Sequence, residues 1–287
     1  MAPTLSAAGR RALRLQRAAS LLLAPLWIPA FTALMWGVLR WRIADAAPLR
    51  RAYARLRAES RAPLLVCANH LTMLDSFVIG WALGGIGFYL RDFAALPWNT
   101  PERVHFADTW WKRALVYLLK CVPISRGSAR GEVALVFEKL RFLMLRGDVA
   151  LVFPEGGRSR SSRVEEANAA YGVGRLVNSL PGCRVLCVYL RGAGQHTWTD
   201  WPARGERFRA TAQCFEPQSA ARGLRASLDV SRQIVRRLAE MERAHFAAHG
   251  APPQPAPAAE AASASGAAAA PARAASAGVA AGGGDDR

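Results

Sequence analysis

The chain is short of lysine: Lys112, Lys120 and Lys139 are the only three in 287 residues. Acids are scarce as well, 21 against 38 lysines and arginines, so the net charge is +17 and nearly all of it is arginine. Residues 251–287 hold two arginines and three acids, which leaves +18 on the rest. Such a surface favours polyanions, nucleic acid and anionic lipid being the common ones. No nucleic-acid-binding module is recognisable, so no nucleic acid partner is expected.

Cysteine is sparse too. Cys67, Cys121, Cys183, Cys187 and Cys214 are odd in number, and their spacing fits neither a disulfide framework nor a zinc site. Cys67 and Cys187 sit inside apolar runs, which points to buried free thiols and a reducing, cytoplasm-facing environment. No Gly-x-Ser-x-Gly elbow or similar context marks a serine or cysteine nucleophile. From Ala251 onward there is no aromatic residue and one aliphatic larger than alanine, Val279. That composition cannot offset its ordering entropy, so 251–287 is expected to be a disordered tail. The remaining length suits one sizeable domain.

Charge is absent from Ser20 to Leu39, SLLLAPLWIPAFTALMWGVL. As a helix this run would be about 30 Å long, the hydrocarbon thickness of a bilayer. Arg10, Arg11, Arg14 and Arg17 precede it, and Arg40, Arg42, Arg50 and Arg51 follow. A signal peptide would use Ala44-Asp45-Ala46 as its cleavage site, but Arg40 and Arg42 intervene. A single span would put one basic flank outside. A segment that enters one leaflet and returns, broken at Pro25 and Pro29, keeps both flanks on the cytoplasmic side. It would place Trp27, Trp36 and Trp41 at the interface. A buried core helix is the fourth reading. The membrane readings locate the chain on the cytoplasmic face of the inner membrane and make anionic membrane a partner.

Beyond this anchor, assigned to residues 1–60, apolar runs predict strands at 63–68, 86–90, 121–124, 149–153 and 185–190. Helices are expected at 109–119, 131–145, 175–180 and 224–246, with another apolar stretch at 77–83. The alternation predicts an α/β domain over 61–250, a mainly parallel sheet flanked by helices, with an N-terminal membrane-associated helical segment. Ligands of such sheets bind beyond the strand C-termini, where His70, Arg126, Glu155 and Arg158 all fall.

Two strings carry the chemistry. In Asn69-His70-Leu71-Thr72-Met73-Leu74-Asp75 the histidine and aspartate would lie about 140° apart on one helix. They meet only if His70 lies in the turn before it, with Thr72 as N-cap and Asp75 in the first turn. One reading is a capping box beside an ordinary loop histidine. The other is a general base: a carboxylate on one ring nitrogen fixes the tautomer, and the other nitrogen takes a proton from a substrate hydroxyl. Ser76, expected within the first turns of the helix, makes a poor nucleophile. Phe153-Pro154-Glu155-Gly156-Gly157-Arg158-Ser159-Arg160 ends a strand with a glycine turn and two guanidinium groups, an anion site. Ile124-Ser125-Arg126-Gly127 repeats the theme. Solvated arginines are the plainer reading, and for Arg126 or Arg160 alone the better one.

In these residues the chain resembles the glycerolipid acyltransferase family, best known for 1-acylglycerol-3-phosphate acyltransferases. Asn69–Asp75, Ile124–Arg126, Phe153–Ser159 and Val185–Leu190 follow the family's order over about residues 60–195. The resemblance implies acyl transfer from acyl-CoA or an acyl-carrier protein to a lysophospholipid hydroxyl, with 1-acylglycerol-3-phosphate the leading acceptor. It makes His70 the base and Asp75 its partner. Arg126 and Arg158 would hold the acceptor phosphate, Glu155 and Gly156 would shape its pocket, and Gly157 and Arg160 lie in the same binding string. No metal or cofactor is implied. Gly157 replaces the usual threonine, the basic residue often found before the later glycine is missing at Tyr171–Gly174, and Val185–Tyr189 lacks the usual proline. Another lysolipid acceptor, or a non-catalytic basic module on anionic membrane, are the alternatives.

Overall fold

Five apolar residues in a row, Leu64–Ala68, form strand β2, and all five are buried. A strand buried on both faces belongs in the middle of a covered sheet. A computed structural model describes residues 4–106, 108–125 and 130–250, and it places β2 there. Arg126 and the tail 251–287 lie outside the described residues.

In chain order the elements are α1 (Ala7–Ala33), β1 (Arg42–Ala44), α2 (Ala46–Glu59), β2, α3 (Asp75–Leu83), α4 (Ile86–Arg91), α5 (Arg103–Phe106), α6 (Trp110–Leu118) and α7 (Arg130–Met144). Then come β3 (Ala150–Val152), α8 (Tyr171–Asn178), β4 (Arg184–Gly192), β5 (Arg207–Phe215) and α9 (Gly223–His249). The sheet order is β1-β5-β4-β2-β3, with β4 and β5 antiparallel and the other pairs parallel. The expected mainly parallel α/β architecture is therefore present.

Side chains alternate across the sheet, as the strand period of two requires. Leu65, Cys67, Val185 and Cys187 face one core with α7, α8 and α9. Leu64, Val66, Ala68, Leu186 and Val188 face another with α1, α2 and α3. Helices α8 and α9 meet backbone to backbone: a Cβ on Gly174 would lie 1.9 Å from the Ser227 carbonyl oxygen, and the Gly174 N–H donates to Ser231 Oγ at 2.9 Å.

Several expectations are corrected. Ile86–Leu90 is helix, not strand. An apolar run of five cannot distinguish the two periods, and the helical form buries Tyr89, whose hydroxyl donates to the Gly80 carbonyl. Cys121–Ile124 forms only isolated bridges, pairing with Asn99 and Glu102. Residues 42–59, grouped with the anchor from sequence, supply β1 and α2 to the same compact unit as the sheet. Ala44 ends β1 and Ala46 starts α2, so the cleavage-like triplet lies inside that unit.

The apolar N-terminal helix does not break at its prolines. It runs through Pro25 and Pro29 to Ala33 and closes with a π-helical turn, Leu34–Val38. Each proline removes one backbone donor. Packing and polar contacts along one face offset that loss: Ala24 and Ile28 are buried, and Gln16 Nε2 donates to the Tyr117 and Cys121 carbonyls. Arg17 reaches Asp148 at 2.9 Å. The opposite face exposes Leu15, Leu22 and Leu26. Of the three tryptophans expected at an interface, Trp36 is exposed and Trp27 half-buried. Trp41 is buried edge-on against Phe208, its indole donating to the Ala203 carbonyl.

Candidate active site

Strands β2, β3 and β4 are mutually parallel, so the loops after their C-termini share one sheet edge. The loop after β2 carries His70. The loop after β3 carries Glu155 to Arg160, and the loop after β4 carries Trp198 to Trp201.

Asn69 ends β2 by mimicking one more ladder residue. Its side-chain amide donates to the Leu190 carbonyl at 2.9 Å, and its carbonyl accepts from the Leu190 N–H at 2.8 Å. His70 follows in the turn before α3, which starts at Asp75, three residues after the expected cap; Thr72 is not its N-cap. Thr72 instead bonds the Leu74 N–H and donates its hydroxyl to Asp75 Oδ1. Asp75 Oδ2 accepts from the Leu71 N–H at 2.6 Å, the Thr72 N–H at 2.8 Å and His70 Nδ1 at 3.1 Å. The carboxylate thus gathers the whole turn, and both residues are buried. Phe153 stacks on the imidazole, ring centroids 3.8 Å apart and planes 9° apart. With Nδ1 on Asp75, Nε2 is the nitrogen available to the cavity that His70 lines.

That cavity holds about 310 Å³ and is lined by His70, Ser76, Asn99, Thr100, Phe153 and Arg158 among others. Two apolar cavities adjoin it. One of about 360 Å³ shares Thr100 and Phe153 and continues past Ile124, Gly156 and Val173. A smaller one of about 70 Å³ shares Ser76, Phe77 and Asn99 and reaches Ile28 and Met35 of the N-terminal helix.

The sequence-predicted residues separate here. His70 and Arg158 line the same cavity, and Asp75 supports the imidazole from behind. Gly156, at φ +72 where L-residues are strained, turns the chain and lines the larger apolar cavity. Gly157 needs no such conformation. Glu155 faces the Glu165 turn, accepting from its N–H at 3.3 Å, and burial pushes its carboxyl up to about 7. Arg160 is exposed and lies over Trp198 at 5.8 Å. Arg126 is outside the described residues. Ser159 ties the two strings together, its N–H donating to the His70 carbonyl at 3.0 Å.

Three contributors escaped the sequence reading. Asn99 donates to Ser76 Oγ at 2.7 Å and lines the cavity. Asp200 holds Arg158, and Trp198 lies 5.1 Å from the same guanidinium. A polar and aromatic loop directly after a strand was the available signal for the last two. Cys67, Cys121, Cys183 and Cys187 are buried free thiols whose pKa values burial raises, Cys121 to about 12, which suits packing rather than nucleophilic work. Among the described residues no cluster of three His, Cys, Asp or Glu could hold a metal.

An aspartate-held imidazole beside a guanidinium can take a proton from a hydroxyl whose owner carries an anion. Residues 50–191 match the family model described as Acyltransferase. No curated protein matches the chain.

Proposed function

From a chain that belongs to the acyltransferase family through residues 50–191, we propose a membrane-bound O-acyltransferase acting on a lysophospholipid, with 1-acylglycerol-3-phosphate as acceptor and phosphatidic acid as product. The observation that carries this reading is His70, held by Asp75 at 3.1 Å in the cavity that Arg158 also lines.

Asp75 fixes the proton on Nδ1 and stabilises the imidazolium that forms. The acceptor hydroxyl gives its proton to Nε2 while its oxygen bonds the thioester carbonyl carbon. The tetrahedral intermediate then collapses. The C–S bond breaks, the ester remains, and the imidazolium returns the proton to the leaving thiolate. Acyl-CoA or an acyl-carrier protein supplies the thioester. Arg158 pairs with the acceptor phosphate, and Arg126 is assigned the same role on the family resemblance. The two apolar cavities suit hydrocarbon chains beside the reacting atoms.

The membrane assignment rests on α1, whose exposed Leu22 and Leu26 lie in the uncharged run Ser20–Leu39, with arginines before and after it. Both basic flanks favour the cytoplasmic face. Replacing His70 removes the base, which is worth about 10²- to 10⁴-fold in rate. His70→Ala should lose that much acyl transfer while the protein stays folded and its membrane recovery matches the parent. Full activity in the variant would overturn the mechanism.

A further inference from the structure

Arg158, the one described arginine that shares the cavity with His70, already holds an anion. Its Nη1 lies 2.5 Å from Asp200 Oδ1 and donates to the Thr199 carbonyl at 3.4 Å. Trp198 lies against the same guanidinium, 5.1 Å from its ring centre. The loop carrying these three residues is fastened to the catalytic turn. The Thr199 N–H donates to the Leu71 carbonyl at 3.2 Å, and the Met73 N–H donates to the Asp200 carbonyl at 3.1 Å. Main chain therefore fixes the loop, while the Asp200 side chain only engages the arginine. Asp200 is the single acid from Gln195 to Arg204, in a chain of net charge +17. Its side chain is 59% exposed and that of Arg158 22%, so the carboxylate can swing into water while the guanidinium stays at the cavity wall.

Building on the acceptor site above, we propose that Asp200 is an internal stand-in for the acceptor phosphate, which an acceptor anion must displace to reach Arg158. In the empty site its carboxylate neutralises Arg158. A ligand anion takes the guanidinium only by displacing a tethered carboxylate. A phosphomonoester, with close to two negative charges and three terminal oxygens, competes well. A phosphodiester, with one charge, competes poorly. Displacing Asp200 costs both ligands alike, so the diester, the weaker partner for Arg158, is the one left with little binding. The loop's backbone clip keeps the His70–Asp75 turn in place whichever anion is bound.

The test is equilibrium binding to full-length protein in detergent, with lysophosphatidate as monoester probe and lysophosphatidylglycerol as diester probe. Asp200→Asn keeps the loop's backbone bonds and removes the charge. An exposed ion pair of this kind is modest, so lysophosphatidate should bind about three- to fivefold tighter. The diester should gain as much or less, because removing the carboxylate charge favours the ligand with more negative charge. In an Arg158→Gln background Asp200→Asn should change nothing. Unchanged or weaker binding of both probes overturns the proposal, as does a gain that survives without Arg158. Failure of either probe to bind parent and variant also overturns it, while leaving acyl transfer to an uncharged acceptor intact. Absence of acyl transfer to every lysolipid instead overturns the enzyme reading, and the binding cycle is read independently of turnover.

Discussion

Glu155 shows how far one residue's surroundings can depart from its place in a motif. It lies in the string that carries Arg158, yet it faces the Glu165 turn, and its buried Oε1 has no hydrogen-bond partner among the described residues. Burial raises its pKa from 4.5 to about 7. The sign follows from linkage. Between those values the unfolded chain loses a proton that the folded chain keeps, so stability is fully present below pH 4.5 and declines as pH rises to about 7. The loss is at most about 3 to 4 kcal/mol, since each pH unit of displacement is worth about 1.4 kcal/mol. Glu155→Gln should flatten this decline in denaturant titrations at pH 4.5, 6 and 8; an unchanged slope would contradict the assignment. Legibility also divides at this scale. His70 and Asp75 were readable because five positions allow contact only from a turn. The partners of Arg158 were not, because Asp200 lies forty-two residues on and meets it only through the parallel order of β3, β2 and β4.

At the scale of elements, continuous apolar runs made β2, β3 and β4 visible, and α7 and α9 showed helical spacing. Strand β5 was not visible. Arg207–Phe215 packs Phe208, Ala210 and Ala212 on one core and leaves much of its other face to solvent, so no apolar run marks it. The long N-terminal helix was visible, but its attachment was not. Lys120 Nζ is wholly buried and reaches the Phe93 and Leu96 carbonyls and Asp148 Oδ1, and Arg17 closes the network from α1. Burial pulls the Lys120 ammonium down to about 8, with Asp148 opposing. Breaking a buried pair strands a charge, which costs about 3 kcal/mol. Asp148→Asn should lower unfolding stability by about that amount, less above pH 8 where Lys120 sheds its proton. A change below about 0.5 kcal/mol, as for an ordinary surface substitution, would contradict the role.

The whole molecule pairs a polar candidate site at the sheet edge with apolar cavities beside it. The smaller apolar cavity is walled by Ile28 and Met35 of the N-terminal helix segment on one side and by the α3 residues Ser76 and Phe77 on the other. The helix that would lie in lipid thus also borders a cavity that adjoins the proposed site. Leu22 and Leu26, 79% and 70% exposed, make no core contact whose loss would unfold the domain. Leu22→Glu with Leu26→Glu should release the protein from membranes into the supernatant after a high-salt wash, with helix content unchanged by circular dichroism. Retention of the double variant on membranes would exclude α1 as the anchor.

The proposed role of His70 is that of base for a lipid hydroxyl at the site Arg158 shares. Its most direct test is acyl transfer by purified full-length protein from acyl-CoA and from an acyl-carrier protein to a panel of lysolipids, with His70→Ala alongside. Turnover is expected with a phosphomonoester lysolipid, with at least about a hundredfold loss in the variant. Equal turnover by the two proteins, or none with any lysolipid, would contradict it.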